Sequence, residues 1–280
     1  MNLGIWPLKR RVPFLRYPGG KSRVIDFLVK RISLPDISRR RVVEPFVGSG
    51  SFFFAIKPRK ALLVDLNPEL IDLYRGIRLH PRAVWNRFCR FPSNRQAYYR
   101  IRSWDPNGLD LPTRSARTLY LNRTSFKGMW RHNLKGHFNI GYGGQDRRWV
   151  LAHRDLLQLS RSLRVATIRC ADFEETIDSC GDSDFIFVDP PYRPGARDMV
   201  HDHFRFGKFP FGEHVRLVAA LKRASKRGAR WILTTTSHRD VVDLFRGYVV
   251  ETLSMGAGRK IGLLTENSGE VLIRSWRGGT

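Results

Sequence analysis

Four consecutive residues, Asp189-Pro190-Pro191-Tyr192, could carry out chemistry on a planar amino group. They follow the apolar run 185–188, whose short length and β-branched and aromatic side chains predict a buried parallel strand that stops at the prolines. Ligands bind at the carboxyl edge of open α/β sheets. At that edge the Asp189 carboxylate and the Pro190 carbonyl could each accept one N–H of an amine, while Tyr192 stacks on its ring. For so short a motif, a strand that simply ends in a proline turn is the alternative.

The charge of the chain indicates a polyanionic partner. Its 280 residues carry 50 Lys and Arg against 25 Asp and Glu, a net charge of +25 that favours nucleic acid as the partner. An apolar content of 42% is enough for a folded core. The three cysteines have no paired spacing, which indicates a reducing compartment and no zinc site. No signal peptide or membrane-length apolar run is present, so we expect a soluble intracellular protein.

A paired glycine before a lysine, Gly19-Gly20-Lys21, is the first segment along the chain that suits a ligand. The glycines let the backbone approach closely, and the ammonium can meet a carboxylate or a phosphate. The segment is not a Walker P-loop, because Leu15 stands where that motif needs a glycine. Ser22 is expected to cap a following helix.

A strand, a glycine turn and a helix follow over residues 42–56, and they predict the first half of a nucleotide-binding βαβ unit. Gly48 and Gly50 make the turn. The second strand, 61–64, ends at Asp65, which is then placed to hold ribose hydroxyls. The turn lacks the third glycine of a dinucleotide oxidoreductase, and the charge does not suit one either.

Residues 75–164 differ from the rest of the chain. They hold 19 Lys and Arg against 4 Asp, a net charge of +15, with aromatic residues interleaved. This mixture is typical of nucleic-acid contact, although a solvated basic face on a small helical subdomain is the alternative for any single charge. Afterwards the sheet resumes with expected strands at 165–168, 185–188, 231–234 and 248–250, and a last edge strand at 271–273. We expect a helix over 213–227.

A turn-rich segment, 136–144, lies within this basic region and predicts a β-ribbon or hairpin. If the preceding residues are extended, Met129, Arg131 and Asn133 fall on one face, because side chains alternate along a strand. Arginine on such a face can pair with guanine O6 and N7, whereas a phosphate contact is the alternative.

With these segments assembled, the chain resembles the Dam-type (D12 class) site-specific DNA adenine-N6 methyltransferases. The resemblance runs from about Phe14 to Ile273 and rests on four motifs in the family's order, at 16–21, 44–50, 121–139 and 189–192. It implies an α/β fold, with a Rossmann-like S-adenosylmethionine-dependent catalytic domain formed by 1–75 and 165–280. Residues 76–164 would form an inserted, mainly helical target-recognition subdomain that carries a β-hairpin.

The resemblance also implies roles for individual residues. The flipped target adenine would be received by Asp189, Pro190 and Tyr192. S-adenosyl-L-methionine would be bound by Tyr17, Lys21, Phe46, Gly48, Gly50, Asp65, Asp172, Phe173 and Asp189, with Asp172 and Phe173 holding its adenine. Double-stranded DNA would be contacted by Arg16, Phe126, Met129, Arg131, Asn133 and Asn139, and no metal is expected.

The chain departs from the family pattern at two places. Lys127 replaces the usual small polar residue, and Gly144-Gln145 stands where a basic-aromatic pair often occurs. A cytosine-N4 methyltransferase, an RNA amino-methyltransferase and a catalytically silent DNA-binding protein remain as alternatives. We expect a cytoplasmic, nucleoid-associated monomer that does not bind membranes, with a role in DNA adenine methylation or restriction–modification.

Overall fold

The computed structural model describes residues 14–16, 25–30, 37–144, 148–191, 209–253 and 269–276. The chain divides into two compact units. The sheet unit comprises residues 19–66, 171–202 and 207–280, and the helical unit comprises residues 1–18, 67–170 and 203–206. Residues 76–164, the expected insertion, lie inside the helical unit.

Seven described strands form one mixed sheet, in the order β3-β2-β1-β4-β5-β7-β6. Their bounds are β1 Arg41–Glu44, β2 Ala61–Asp65, β3 Ala166–Cys170, β4 Asp184–Val188, β5 Arg230–Thr236, β6 Val249–Thr252 and β7 Glu270–Arg274. Strand β1 pairs in parallel with β2 and β4, and β4 pairs in parallel with β5. The expected α/β class with a Rossmann-like sheet is confirmed.

The expectation that 271–273 forms the edge strand was wrong. β7 lies between β5 and β6 and pairs antiparallel with both, so that β6 is the edge. The burial pattern agrees with this placement, because β7 is buried over four of its five residues whereas β6 alternates between half-buried and exposed positions. A continuous apolar run suits an interior strand, and an alternating one suits an edge.

Alternate residues of the central strands pack on opposite faces of the sheet, as the period of two requires. On one face Val42, Phe185, Phe187 and Ile232 pack with helices α1 (Ile25–Lys30) and α2 (Ser51–Ile56). On the other face lie Val43, Ile186, Val188, Trp231 and Leu233, which pack with α8 (Phe173–Asp178), α9 (Phe211–Lys226) and α10 (Arg239–Asp243). Both faces of the parallel strands are therefore covered.

The described part of the helical unit contains five α-helices, three short 3₁₀ helices and the strand β3. The α-helices are α3 (Pro68–Leu79), α4 (Pro81–Arg90), α5 (Arg95–Arg102), α6 (Leu111–Thr124) and α7 (His153–Leu163). Asn67 begins α3 by accepting a hydrogen bond from the Glu69 N–H at 3.1 Å, with Pro68 at the first helical position. Helices α3 and α6 pack closely, since a Cβ on Gly76 would lie 1.9 Å from the Ser115 hydroxyl oxygen.

In the described part of the chain, no helix is both long enough and apolar enough to span a membrane. The same residues contain no group of three or more His, Cys, Asp or Glu side chains that could hold a metal ion.

Candidate active site

Asp189 lies at the carboxyl end of β4, where the sequence predicts an acceptor for an amine. Val188 pairs with Leu233 of β5, which brings the next residue of each strand together. The Thr234 hydroxyl, which is fully buried, donates a hydrogen bond to Asp189 Oδ1 at 2.7 Å. Because hydrogen bonds to ionised groups are strong and directional, this contact orients the carboxylate.

Glu44 is a second carboxyl group near Asp189. It ends β1, is 1% exposed, and its Oε1 has no hydrogen-bond partner among the described residues. Burial raises the pKa of the Glu44 carboxyl well above its ordinary value; the Phe53 backbone N–H opposes this effect, and the Asp189 charge adds to it. A buried carboxyl with an unused oxygen is a group placed to meet a polar ligand.

The glycine turn after β1 holds the acid that ends β2. Gly48 and Gly50 have φ of 47° and 65°, a region that glycine adopts without strain. The Gly48 N–H donates to Asp65 Oδ2 at 3.1 Å, which fixes the carboxylate beside the turn. A carboxylate next to a tight glycine turn can accept hydrogen bonds from the ribose hydroxyls of a nucleoside.

Asp172 and Phe173 lie at the start of α8. Asp172 Oδ1 accepts from the Glu174 N–H at 2.8 Å and from Arg216 Nη2 at 3.1 Å. Phe173 is 5% exposed, and its ring stacks on the half-buried Phe46 with centroids 5.2 Å apart. The Arg216 guanidinium lies 4.9 Å from the Phe173 centroid, so the phenyl ring is largely covered by protein.

Three residues expected at the site, Tyr17, Lys21 and Tyr192, lie outside the described residues. Pro190 is described and buried.

The segment 125–142 of the helical unit folds back on itself, and we call it the hairpin. Two antiparallel bridges close it, Ser125 with Tyr142 and His132 with Phe138. Burial increases along its first arm: Met129 is 37% exposed, Trp130 and Arg131 are half-buried, and His132 is 2% exposed. The expected ribbon is therefore present, with His132 on the inner face and Met129 on the outer face.

Arg131 and Asn139 contact each other across the hairpin. Arg131 Nε donates to Asn139 Oδ1 at 2.8 Å, and the Asn139 N–H donates to the Arg131 carbonyl at 3.1 Å. Asn133 has a different role, because its Oδ1 accepts from the His137 N–H at 3.0 Å and closes the turn. The side-chain oxygen of Asn133 is thus engaged within the hairpin, which leaves its amide NH₂ as the group that can donate outward.

Arg16 is held next to the hairpin by α6. Its N–H donates to Asn122 Oδ1 at 2.9 Å, and Asn122 Nδ2 donates back to the Arg16 carbonyl at 2.6 Å. A Cβ on Gly128 would meet the end of the Arg16 side chain, so this side chain passes close over the backbone of Gly128. Phe126, 48% exposed, lies in the same turn. Arg16, Phe126 and Met129 are therefore neighbours within the helical unit.

A family model described as "D12 class N6 adenine-specific DNA methyltransferase" matches residues 17–260. The chain belongs to this class. It is 30% identical to the DNA adenine methylase of Vibrio cholerae over 86% of this chain and 87% of that protein. It is also 26% identical to the type II methyltransferase M1.LlaDCHI of Lactococcus lactis subsp. cremoris, over 92% of both. An rRNA methyltransferase, aviRa from Streptomyces viridochromogenes, is 14% identical with a TM-score of 0.42, covering 95% of this chain and 90% of its own.

The protein is therefore an enzyme that transfers a methyl group from S-adenosyl-L-methionine to adenine N6 in DNA. This confirms the activity, the cofactor and the DNA substrate expected from the motifs, and the cytosine-N4, RNA and silent-binder alternatives give way to it.

Three residues of the methyltransferase's candidate site were missed in the sequence, namely Glu44, Thr234 and Arg216. Glu44 begins the motif at 44–50 but receives no role from it, although a carboxyl group at the end of an apolar strand is a signal in itself. Thr234 begins a run of three threonines at the end of an otherwise apolar strand, which is a similar signal. Nothing in the local pattern around Arg216 distinguishes it from the other arginines of this basic chain.

Proposed function

We propose that the methyltransferase acts on an adenine turned out of duplex DNA, and that Asp189 and the Pro190 carbonyl receive its N6 amine. The supporting observation is the Asp189 carboxylate at the end of β4, oriented by the buried Thr234 hydroxyl at 2.7 Å. A base within the duplex is out of reach, so turning it out costs about a few kcal/mol. Contacts to the flanking DNA must supply that energy.

Two acceptors address the chemical difficulty of this substrate. The N6 lone pair is delocalised into the purine ring, which makes the amine a poor nucleophile. Acceptance of one N–H by Asp189 and of the other by the Pro190 carbonyl draws the nitrogen towards tetrahedral geometry and localises the pair. Asp189 can then take the proton that the amine loses. Positioning and electrostatics therefore carry the catalysis, and no covalent nucleophile is needed.

We assign the cofactor to the sheet unit. When bound, S-adenosyl-L-methionine supplies a methyl group on a positively charged sulfur. Support comes from the turn formed by Gly48 and Gly50 and from Asp65, which this turn holds. Asp172, Phe173 and Phe46 are the proposed contacts for the cofactor's adenine, and Tyr17 and Lys21 stay predictions from the motif.

We assign the reading of the DNA sequence to the hairpin. Its exposed apolar side chains, Phe126 and Met129, suit insertion between bases, and the Arg131 fork is held in place by Asn139. Arg16 and Asn133 complete the proposed contact set. The net charge of +15 over residues 75–164 supports backbone contacts on either side.

We also propose that the enzyme acts as a monomer on double-stranded DNA in the cytoplasm, at the nucleoid. A role beside a site-specific endonuclease is supported by the relative named a type II methyltransferase. Light scattering on the purified protein measures its mass in solution and tests whether it is a monomer.

Substitution of Asp189 tests the catalytic assignment. Asp189→Ala should abolish transfer of labelled methyl groups to duplex DNA while leaving DNA affinity largely intact, since the carboxylate serves the reaction rather than the duplex. Asp182→Ala is the matched control, because Asp182 is exposed and lies just before the opposite end of the same strand. If Asp189→Ala keeps more than a small fraction of the activity, Asp189 is not the acceptor.

Substitution of Arg131 tests the reading of sequence. Methylome sequencing of DNA from cells that express the enzyme first identifies the recognition site. Arg131→Ala should then relax discrimination at one base pair, since a bidentate contact to guanine is worth about 1–3 kcal/mol. Uniform slowing across a panel of singly substituted duplexes would instead indicate a phosphate contact.

A further inference from the structure

A buried ionic cluster lies under the hairpin in the helical unit. Glu69 of α3, Arg117 of α6 and His132 of the hairpin have side chains that are 11%, 3% and 1% exposed. Arg117 Nη1 lies 3.2 Å from Glu69 Oε1, and His132 Nε2 lies 3.4 Å from Glu69 Oε2. The second separation is long for a hydrogen bond, so we describe it as an electrostatic contact. Glu69 therefore links two helices to the hairpin.

Glu69 remains charged at neutral pH. Burial raises the pKa of its carboxyl, but the neighbouring His132 and Arg117 together outweigh that effect, so the pKa lies below its ordinary value. Arg117 is itself fixed, because its Nε donates to the Ile101 carbonyl at 3.1 Å and its Nη2 to the Arg102 carbonyl at 2.7 Å. The carboxylate is thus held on a rigid base and presents its other oxygen to His132.

His132 lies on the inward face of the hairpin. Its imidazole lies against Trp130 and Phe138, with ring centroids 5.9 and 5.8 Å away. Its immediate neighbour Arg131 makes its contact with Asn139 instead. Because side chains alternate along an extended arm, a shift by one residue would exchange the two faces and turn Arg131 inward. Burial of the inward aromatic rings is non-directional, whereas a contact to one buried carboxylate can select a single register.

We propose that Glu69 and His132 are positioning residues for DNA-sequence recognition, and that their contact fixes the register in which the hairpin presents Arg131. The proposal rests on the assignment of sequence reading to the hairpin. A cluster that only stabilised the helical unit would also be buried and paired. The positioning role and the purely stabilising role differ in one measurable effect. Only loss of a positioning residue should reduce discrimination between bases.

The chain provides a matched control one helical turn away. Asp72 of α3 pairs with Arg114 of α6 at 3.0 Å, so this pair joins the same two helices as Glu69 and Arg117. The hydrogen bonds and ion pairs that Asp72 and Arg114 make with other described residues do not reach the hairpin. Asp72→Asn therefore removes a cross-helix ion pair without removing the contact to His132.

The experiment compares Glu69→Gln, His132→Phe, Asp72→Asn and Arg131→Ala. For each variant, kcat and KM are measured on the native duplex site and on duplexes substituted at one position. We expect Glu69→Gln and His132→Phe to lower the ratio of kcat/KM between native and substituted sites at least fivefold, at the position that Arg131→Ala relaxes. Affinity for S-adenosyl-L-methionine should not change. Asp72→Asn should keep the full ratio even where it lowers the melting temperature.

A conservative variant guards against simple misfolding. His132→Gln keeps a donor for the Glu69 carboxylate, so it should retain more discrimination than His132→Phe at a comparable melting temperature. The proposal is overturned if Glu69→Gln and His132→Phe lower the melting temperature as Asp72→Asn does and leave discrimination intact. If Arg131→Ala relaxes no position, the sequence-reading role of the hairpin fails, and the positioning role fails with it.

Discussion

The hydrogen bond from Thr234 to Asp189 gives the sharpest test of how the methyltransferase orients the carboxylate that accepts the amine N–H. The Thr234→Val substitution keeps the shape and burial of the side chain but removes the hydroxyl that donates to Asp189 Oδ1 at 2.7 Å. A hydrogen bond to a charged group is worth about 1.5–3 kcal/mol. If this energy serves to orient the carboxylate in the transition state, kcat should fall about 10- to 150-fold, since about 1.4 kcal/mol corresponds to a factor of ten.

Thr235 provides the control. It is equally buried, lies on the opposite face of the same strand, and its hydroxyl has no hydrogen-bond partner among the described residues. Thr235→Val should therefore leave kcat unchanged and should not lower stability, because it replaces an unsatisfied hydroxyl with a methyl group. Thr234→Ser keeps the donor and should retain most of the activity.

The assay is single-turnover transfer of labelled methyl groups to a duplex that contains the native site, with cofactor affinity measured separately by calorimetry. A loss of kcat at constant cofactor affinity, confined to Thr234→Val, would support the orienting role. Equal rates for Thr234→Val and Thr235→Val would refute it, as would a defect that appears only in cofactor binding.

Two further predictions concern stability. Because Glu44 is buried with a pKa raised above its ordinary 4.5, the folded state holds a proton that the unfolded state loses, and stability falls as pH rises from about 4.5 towards the folded pKa. Relative to the native enzyme, Glu44→Gln should therefore become progressively more stable as pH rises from 5 to 8, as measured by urea unfolding. A difference in unfolding free energy that stays constant over this pH range would contradict the prediction. Lys127 has φ of 52°, a left-handed conformation that asparagine tolerates better, so Lys127→Asn should raise the free energy of unfolding by about 0.5–1 kcal/mol; an unchanged or lower melting temperature would argue against strain at this position.

Local patterns were enough to predict the elements that carry Asp189 and Asp65. The run 185–188 is apolar at every position, as a strand covered on both faces must be, and all of β4 is buried. The glycine turn was also readable, because Gly48 and Gly50 adopt the positive φ that only glycine accepts without strain. In these places the backbone and burial requirements act on neighbouring residues, so the sequence records them directly.

Long-range pairing could not be predicted in the same way. β7 enters between β5 and β6, and the choice depends on which strand edges are open after the rest of the sheet has formed. The contact of Glu69 with His132 joins residues that are 63 positions apart. Neither side chain is unusual in its own segment, because an exposed glutamate on a helix and a histidine in a ribbon are both ordinary. Only the folded helical unit shows that both are buried and face each other.

The polar groups beside Asp189 fall between these two cases, because the alternation of side chains along each strand predicts which face of the sheet they occupy. The face of the sheet that packs on α1 and α2 takes every second residue of β1, β4 and β5. Continuing each count by two residues reaches a polar side chain at the carboxyl end of each strand: Glu44 after Val42, Asp189 after Phe187, and Thr234 after Ile232. The hydrogen bond between Thr234 and Asp189 and the electrostatic coupling of Glu44 to Asp189 follow from this shared phase. Three parallel strands that change from apolar to polar side chains on the same face therefore support an active site at this edge of the sheet, in addition to the short motif at 189–192.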